Sequence, residues 1–106
     1  MRSLRDPRRA PTHPGAVLRE DVLPSLGMTQ TDFAKRLDVS RLTVSELLHE
    51  RRSLSPEMAA RLARLLHGTP EIWLRMQAAR DLWEIQQDPE RLANVQPVDK
   101  RLLRAA

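Results

Sequence analysis

Residues 30–48 read QTDFAKRLDVSRLTVSELL, and this stretch decides the fold. Phe33, Ala34 and Leu37 recur at helical spacing, so its first half reads as a short helix with one apolar face. Val44, Leu47 and Leu48 repeat that pattern in its second half. Thr29 and Ser40 stand where each helix needs a side-chain cap. Asp32, three residues after Thr29, brings the first start close to a capping box. Only a tight turn at Asp38-Val39 separates the two. Ala34 is small where two helices must approach closely.

These are the requirements of a helix-turn-helix, whose second helix enters the major groove of DNA. The outward face of that helix reads Arg41, Leu42, Ser45, Glu46 and His49, with Thr43 at its edge. Arg41 suits guanine O6 and N7, Glu46 can accept from cytosine N4, and Leu42 can touch a thymine methyl. Thr43 and Ser45 can donate to phosphate or base. Gln30, at the start of the first motif helix, and Ser40, a cap first, can hold phosphates. Arg51 and Arg52 follow in the next loop and suit phosphate contacts, which position without specifying. A solvated surface residue is the plain alternative for each, most of all for Glu46. The segments Val39-Ser40 and Thr43-Val44-Ser45 resemble the phage-repressor (XRE/Cro) class. That class usually has Gly in a left-handed turn where this chain has Asp38, and Asp tolerates that conformation better than most residues.

Working outward, start and stop signals fall in register. Pro14 suits a first helical turn. Val17, Leu18, Val22, Leu23 and Leu26 follow as a stripe, which Pro24 should end or kink and Gly27 can close. His13 reads as a cap for this helix rather than a catalytic base. Ser55-Pro56-Glu57 opens a fourth helix, striped by Met58, Ala59, Leu62, Leu65 and Leu66 and ended by Gly68. Thr69-Pro70-Glu71 repeats that start signal. The fifth helix runs to about Gln87. It carries two apolar stripes, Ile72/Met76/Ala79/Trp83 and Leu74/Ala78/Leu82/Ile85. The expected fold is all-α: a five-helix, lambda-repressor-like helix-turn-helix domain with a longer C-terminal dimerisation helix. Residues 1–12 read as a disordered basic arm and 13–87 as the DNA-binding and dimerisation domain. Residues 88–106 read as a flexible tail, with a short strand near 93–98.

Composition removes most other functions. The chain has 106 residues, no cysteine and histidines only at 13, 49 and 67. That leaves one domain, no thiol chemistry and little for a metal site. His49-Glu50 opens like a metalloprotease motif, but position 53 is Ser, so that reading fails. No paired carboxylates or Ser/His/Asp arrangement supports an enzyme, and no cofactor or small-molecule substrate is expected. No apolar run spans a bilayer and no secretory h-region opens the chain, so it reads as cytoplasmic. Eighteen Lys+Arg against fourteen Asp+Glu give a net charge of +4, which suits a polyanionic partner. Three aromatics, Phe33, Trp73 and Trp83, are too few for a base-stacking platform.

Several separated motifs then agree in order: HPGAVLREDVL at 13–23, VSRLTVSELL at 39–48, LSPEMAARLARLL at 54–66 and GTPEIWLRMQAARDLW at 68–83. Over residues 13–87 the chain resembles the HigA-type antitoxins, also called addiction-module antidote proteins. Departures are Asp38 and His49-Glu50, where that family commonly has Asn-Gly. The resemblance implies a dimer that represses its own toxin–antitoxin operon. It also implies binding and neutralisation of a HigB toxin, a RelE-like mRNA endonuclease. Carried over, operator contacts fall on Gln30, Ser40, Arg41, Thr43 and Ser45, with Arg51 or Arg52 on phosphate. Family dimers pair through C-terminal helices.

A dimer is expected from the residues as well. A domain this small cannot easily bury both stripes of its fifth helix. Trp73, Met76, Arg80 and Trp83 are the candidate interface, with one Trp alternatively capping the core. A two-fold dimer predicts a palindromic operator. The alternative function is a stand-alone XRE-type regulator without a toxin.

Overall fold

The computed structural model describes residues 8–104. Within them the chain forms five helices and no strand. Helix α1 occupies 14–26, as an α turn Pro14–Val17, a π turn Leu18–Val22 and a second α turn Leu23–Leu26. Helices α2 (Gln30–Leu37), α3 (Arg41–Leu48), α4 (Pro56–Leu66) and α5 (Pro70–Gln86) follow. The core is one cluster that includes Leu18, Phe33, Leu37, Val44, Leu47, Leu62 and Trp73. Fully burying a side chain such as Phe33 contributes about 1.5–3 kcal/mol.

Pro24 neither ends nor breaks α1. Proline lacks the N–H that would continue the α-helical ladder. The π turn ahead of it shifts the pairing to Leu23 N–H on the Leu18 carbonyl, and Pro24 then falls in the first turn of the resumed α stretch. The wider turn also changes the phase of the stripe. Leu18 and Leu23, five apart, are both buried, whereas Leu26 is 44% exposed and off the core. Gly27 closes the helix at φ 63°.

The caps form as the sequence predicts at three starts. Thr29 accepts from Asp32 N–H at 3.1 Å, Ser40 from Thr43 N–H at 3.0 Å, and Ser55 from Met58 N–H at 3.1 Å. Thr69 makes no such bond. At the end of α4 it is His67, not Gly68, that takes the left-handed conformation, at φ 58°. The Gly68 N–H then closes on the Ala63 carbonyl at 2.9 Å.

Helix α5 buries neither expected stripe squarely. Its inward line runs between them, through Trp73 and Gln77, the two buried residues of the helix, with Arg80 half-buried beyond. Trp73, expected at an interface, is 7% exposed and belongs to the core. Ile72 and Leu82 remain 55% and 57% exposed.

Beyond α5, residues 88–104 are exposed throughout. The strand expected near 93–98 is absent: the chain makes a 3-10 turn at Pro89–Leu92 and another at Lys100–Leu102. With no neighbouring strand to pair with, the apolar residues there have no ladder to join. Of the arm expected over 1–12, residues 1–7 lie outside the described residues. Pro11 is buried, and its carbonyl accepts from Arg80 Nη1 at 3.1 Å, so the end of that segment is fixed to the fold.

Candidate nucleic-acid interface

The two motif helices meet as the sequence requires. Phe33, Ala34 and Leu37 of α2 and Val44, Leu47 and Leu48 of α3 are all buried. Asp38 turns the chain at φ 59° and ψ 47°. Its N–H and that of Val39 close on Lys35 and Ala34 carbonyls at 3.2 and 3.1 Å. The remaining carbonyls at this turn are satisfied from outside the motif. Arg61 of α4 donates through Nη1 to the carbonyls of Leu37 at 2.8 Å and Asp38 at 3.2 Å. Its other nitrogens hold Glu57. A guanidinium at a helix C-terminus also complements the helix dipole. The sequence reading missed Arg61; its signal was an arginine at Glu57 plus four, on the edge of the α4 stripe.

Burial of one face leaves the other side of α3 outward. Arg41 is exposed and Leu42 is 68% exposed, both in the first turn. Among the described residues Arg41 has no hydrogen-bond or ion-pair partner, so its guanidinium is available. Ser40 and Thr43 are engaged with one another, with 2.8 Å between their hydroxyl oxygens. Ser45 is half-buried beneath this face, and Gln30 is half-buried at the first position of α2. Helical spacing puts Arg41, Leu42 and Ser45 on one face of α3. Glu46, one position on, and Arg52 of the following loop hold each other: Arg52 Nη2 donates to Glu46 Oε1 at 2.8 Å. Surface pairs of this kind contribute only about 0–1 kcal/mol. What the pair changes is the offered charge: Arg52 is paired with Glu46, while the Arg51 guanidinium is exposed and makes no hydrogen bond or ion pair among the described residues.

The exit of α3 is tied down on two sides. Glu50 takes φ 61°, the left-handed position where the resembled family commonly has Gly. Its carboxylate stands between Arg19 of α1, at 3.3 Å, and Arg80 of α5, at 3.6 Å. Arg19 also donates to the Leu48 carbonyl at 2.6 Å. Arg80, expected at a subunit interface, is thus spent within its own chain on Glu50, Glu84 and the Pro11 carbonyl. Gln77, which sequence reading passed over, accepts from the buried Leu54 N–H at 2.8 Å and donates to Asp81 at 2.9 Å. That places the loop after α3 against α5.

His13 completes this corner. It is 6% exposed, and Nδ1 accepts from Gly15 N–H at 2.9 Å, which caps α1. Burial pushes its pKa down; Glu50 opposes that shift, Arg80 adds to it, and the Arg52 backbone lying against the ring opposes it. Neutral imidazole is the form that can accept at Nδ1. Gly15 is required next to it, because a Cβ there would overlap the Leu47 carbonyl oxygen. Among the described residues no group of three His, Cys, Asp or Glu side chains could hold a metal. None of their helices is long and apolar enough to cross a membrane.

The geometry is that of a DNA-reading helix-turn-helix, and the comparisons with known proteins agree. A family model described as helix-turn-helix matches residues 18–74, more than half the chain. An HTH-type transcriptional regulator of Haemophilus influenzae is 38% identical over 84% of this chain and 86% of its own. Antitoxin HigA-1 of Vibrio cholerae is 37% identical over 76% of each chain. The chain belongs to the HigA-type helix-turn-helix family. A solved member of this fold, antitoxin GraA in complex with its operator, is 37% identical. It aligns over 92% of this chain and 99% of its own, with a TM-score of 0.77. The left-handed turn at Asp38 and the left-handed exit at Glu50 stand without glycine at either place. Both residues are held, Asp38 by Arg61 and Glu50 by its two arginines.

Proposed function

We propose that this HigA-type protein is the antitoxin of a type II toxin–antitoxin pair, which binds its own palindromic operator as a dimer and represses the operon. The observation that carries the DNA half is the outward first turn of α3. Arg41 and Leu42 project there from a helix whose opposite face is locked into the core. Arg41 reads a base edge and Leu42 a thymine methyl, with Ser45 behind them. Gln30, Ser40 and Thr43 line the phosphate side, and Arg51 provides the backbone attraction. Glu46 acts with Arg52 as a pair, and discriminates more than it attracts. The domain that reads DNA is 13–87.

The dimer forms through the α5 stripe of Ile72, Met76, Ala79 and Trp83, with Trp73 and Arg80 supporting it from inside each subunit. The cognate toxin is a HigB-type, RelE-like mRNA endonuclease, which the antitoxin neutralises by binding. The protein is therefore a binding protein, not an enzyme, and acts in the cytoplasm.

The test is a gel shift on the DNA preceding its own reading frame, at two salt concentrations, with unrelated DNA alongside. Selective retardation by a dimer is expected. Weak binding to every duplex, abolished by salt, would sink the repressor half. Co-purification with the product of the neighbouring reading frame tests the toxin half. Failure there, with operator binding intact, favours the second reading: a stand-alone XRE-type regulator, as the name of the Haemophilus relative suggests for that protein.

A further inference from the structure

A basic cleft lies between α2 and α4, at the turn of the helix-turn-helix. Arg36, Leu37, Asp38, Arg61, Arg64 and Leu65 line it. Leu37 is buried and Leu65 half-buried, so the cleft has an apolar floor. Arg61 is committed within the fold, to the Leu37 and Asp38 carbonyls at 2.8 and 3.2 Å and to Glu57 at 2.8 Å. Arg36 and Arg64 are not committed. Both are exposed, and neither guanidinium makes a hydrogen bond or ion pair among the described residues. Asp38, the one acid lining the cleft, holds neither of them. Lys35, exposed and equally unpaired among the described residues, adds a further cation beside Arg36, in an adjoining cleft with Met28 and Asp32.

These cations are not those of the reading face. Arg36 lies about two-thirds of a turn around α2 from Gln30. Arg64 belongs to α4, which meets the motif at its turn and contributes nothing to the outward side of α3. Chemistry then selects the occupant. A duplex backbone offers phosphates with no apolar surface, and beside these arginines it would meet Asp38 and Glu57. A protein segment with a carboxylate next to an apolar side chain fits both halves of the cleft. The apolar side chain covers Leu37 and Leu65, and the carboxylate pairs with Arg36 and Arg64. Guanidinium and carboxylate match in a two-bond fork, and the weakly hydrated guanidinium is the cation suited to interface ion pairs.

We infer that the cleft between α2 and α4 is the surface on which this chain takes its protein partner, through a partner segment that carries a carboxylate beside an apolar side chain. The inference rests on the toxin half of the function proposed above. It gives that half a surface of its own, with Arg36 and Arg64 as its anchors, apart from the residues that face DNA.

The experiment titrates the full chain with the product of the neighbouring reading frame, by calorimetry at low and at high salt. Three proteins are compared: the natural sequence, a neutral variant with Arg36→Gln and Arg64→Gln, and a reversed variant with Arg36→Glu and Arg64→Glu. The neutral variant is expected to bind the partner on the order of tenfold more weakly, and the reversed variant on the order of a hundredfold. The salt dependence of partner binding should shrink in the neutral variant. Selectivity for the operator over random duplex, and sedimentation of each variant alone, should match the natural protein. Unchanged partner affinity in both variants overturns the inference and leaves the toxin reading intact. Loss of operator selectivity or of self-association, with partner binding unchanged, assigns the cleft to DNA or to a second copy and overturns it as well. A natural chain that does not bind the neighbouring product sinks the toxin reading first, and this inference with it. Helical circular dichroism equal to that of the natural protein separates these outcomes from misfolding. If the reversed variant fails to fold, the neutral variant still decides.

Discussion

Gly15 lies directly over the Leu47 carbonyl, so the start of α1 crosses the last turn of the reading helix with no room for a side chain. Gly15→Ala should therefore cost about 1–3 kcal/mol, the range for overpacking a tight contact. A urea midpoint lowered at unchanged slope is the expected result. An unaltered midpoint would mean that the two helices can separate freely.

His67 ends α4 in the left-handed region, a conformation that costs a residue with a Cβ roughly 1–2 kcal/mol. His67→Gly should raise stability, by about 0.5–1 kcal/mol after the added chain entropy. Thermal unfolding reads this directly, and a lower Tm would contradict it.

His13 makes stability depend on pH. Burial lowers its pKa in the folded state, so the unfolded chain binds a proton that the folded chain refuses. Stability is complete above pH about 6.5, the ordinary histidine value, and falls as pH drops through the window below it. His13→Asn keeps a capping side chain without a titrating group. Its Tm should vary less between pH 7 and pH 5 than that of the natural protein. Equal slopes would remove His13 as the cause.

Arg41 and Arg51 should fail differently on DNA. Arg41→Ala is expected to cost about 1–3 kcal/mol on the selected operator and relax one base position. Arg51→Ala should weaken every duplex alike and flatten the salt slope by about 0.9. Exchanged phenotypes would reverse the two roles. Glu46→Ala frees Arg52 and removes an acid from the DNA face. Non-specific binding should tighten and the ratio of operator to random affinity should drop.

Trp83→Ala should shift the monomer–dimer equilibrium toward monomer in sedimentation, since half-buried Trp83 lies on the α5 stripe proposed as the dimer interface. A folded, fully dimeric variant would move the interface elsewhere.

The helix-turn-helix was legible because its signals are local. Caps at Thr29, Ser40 and Ser55 and the spacing of Phe33, Leu37, Val44 and Leu47 each depend on residues a few positions apart. The misses share the opposite character. The π turn that accommodates Pro24 is a choice between two ladders that no stripe announces. Helix α5 is apolar on two flanks, so periodicity could not tell that Trp73 and Gln77 face inward. Gln77 caps a buried N–H of Leu54, and Glu50 binds Arg19 and Arg80; both are pairings across distant stretches of chain. The Glu46–Arg52 pair escaped the sequence reading as well, because it joins a helix to the loop after it. His67 displaced Gly68 because a hydrogen bond, Gly68 N–H to Ala63, set the register of the turn.

Arg61 means that the reading motif is not a self-contained cassette. A transplant of residues 29–49 into another helical scaffold would carry both caps, Ala34, Asp38 and the outward first turn of α3. It would leave behind the guanidinium that braces the Leu37 and Asp38 carbonyls, and with it the fixed angle between the two helices. Under the proposed function, retargeting this protein to a new sequence means replacing Arg41, Leu42 and Ser45 in place, on the frame that α4 provides.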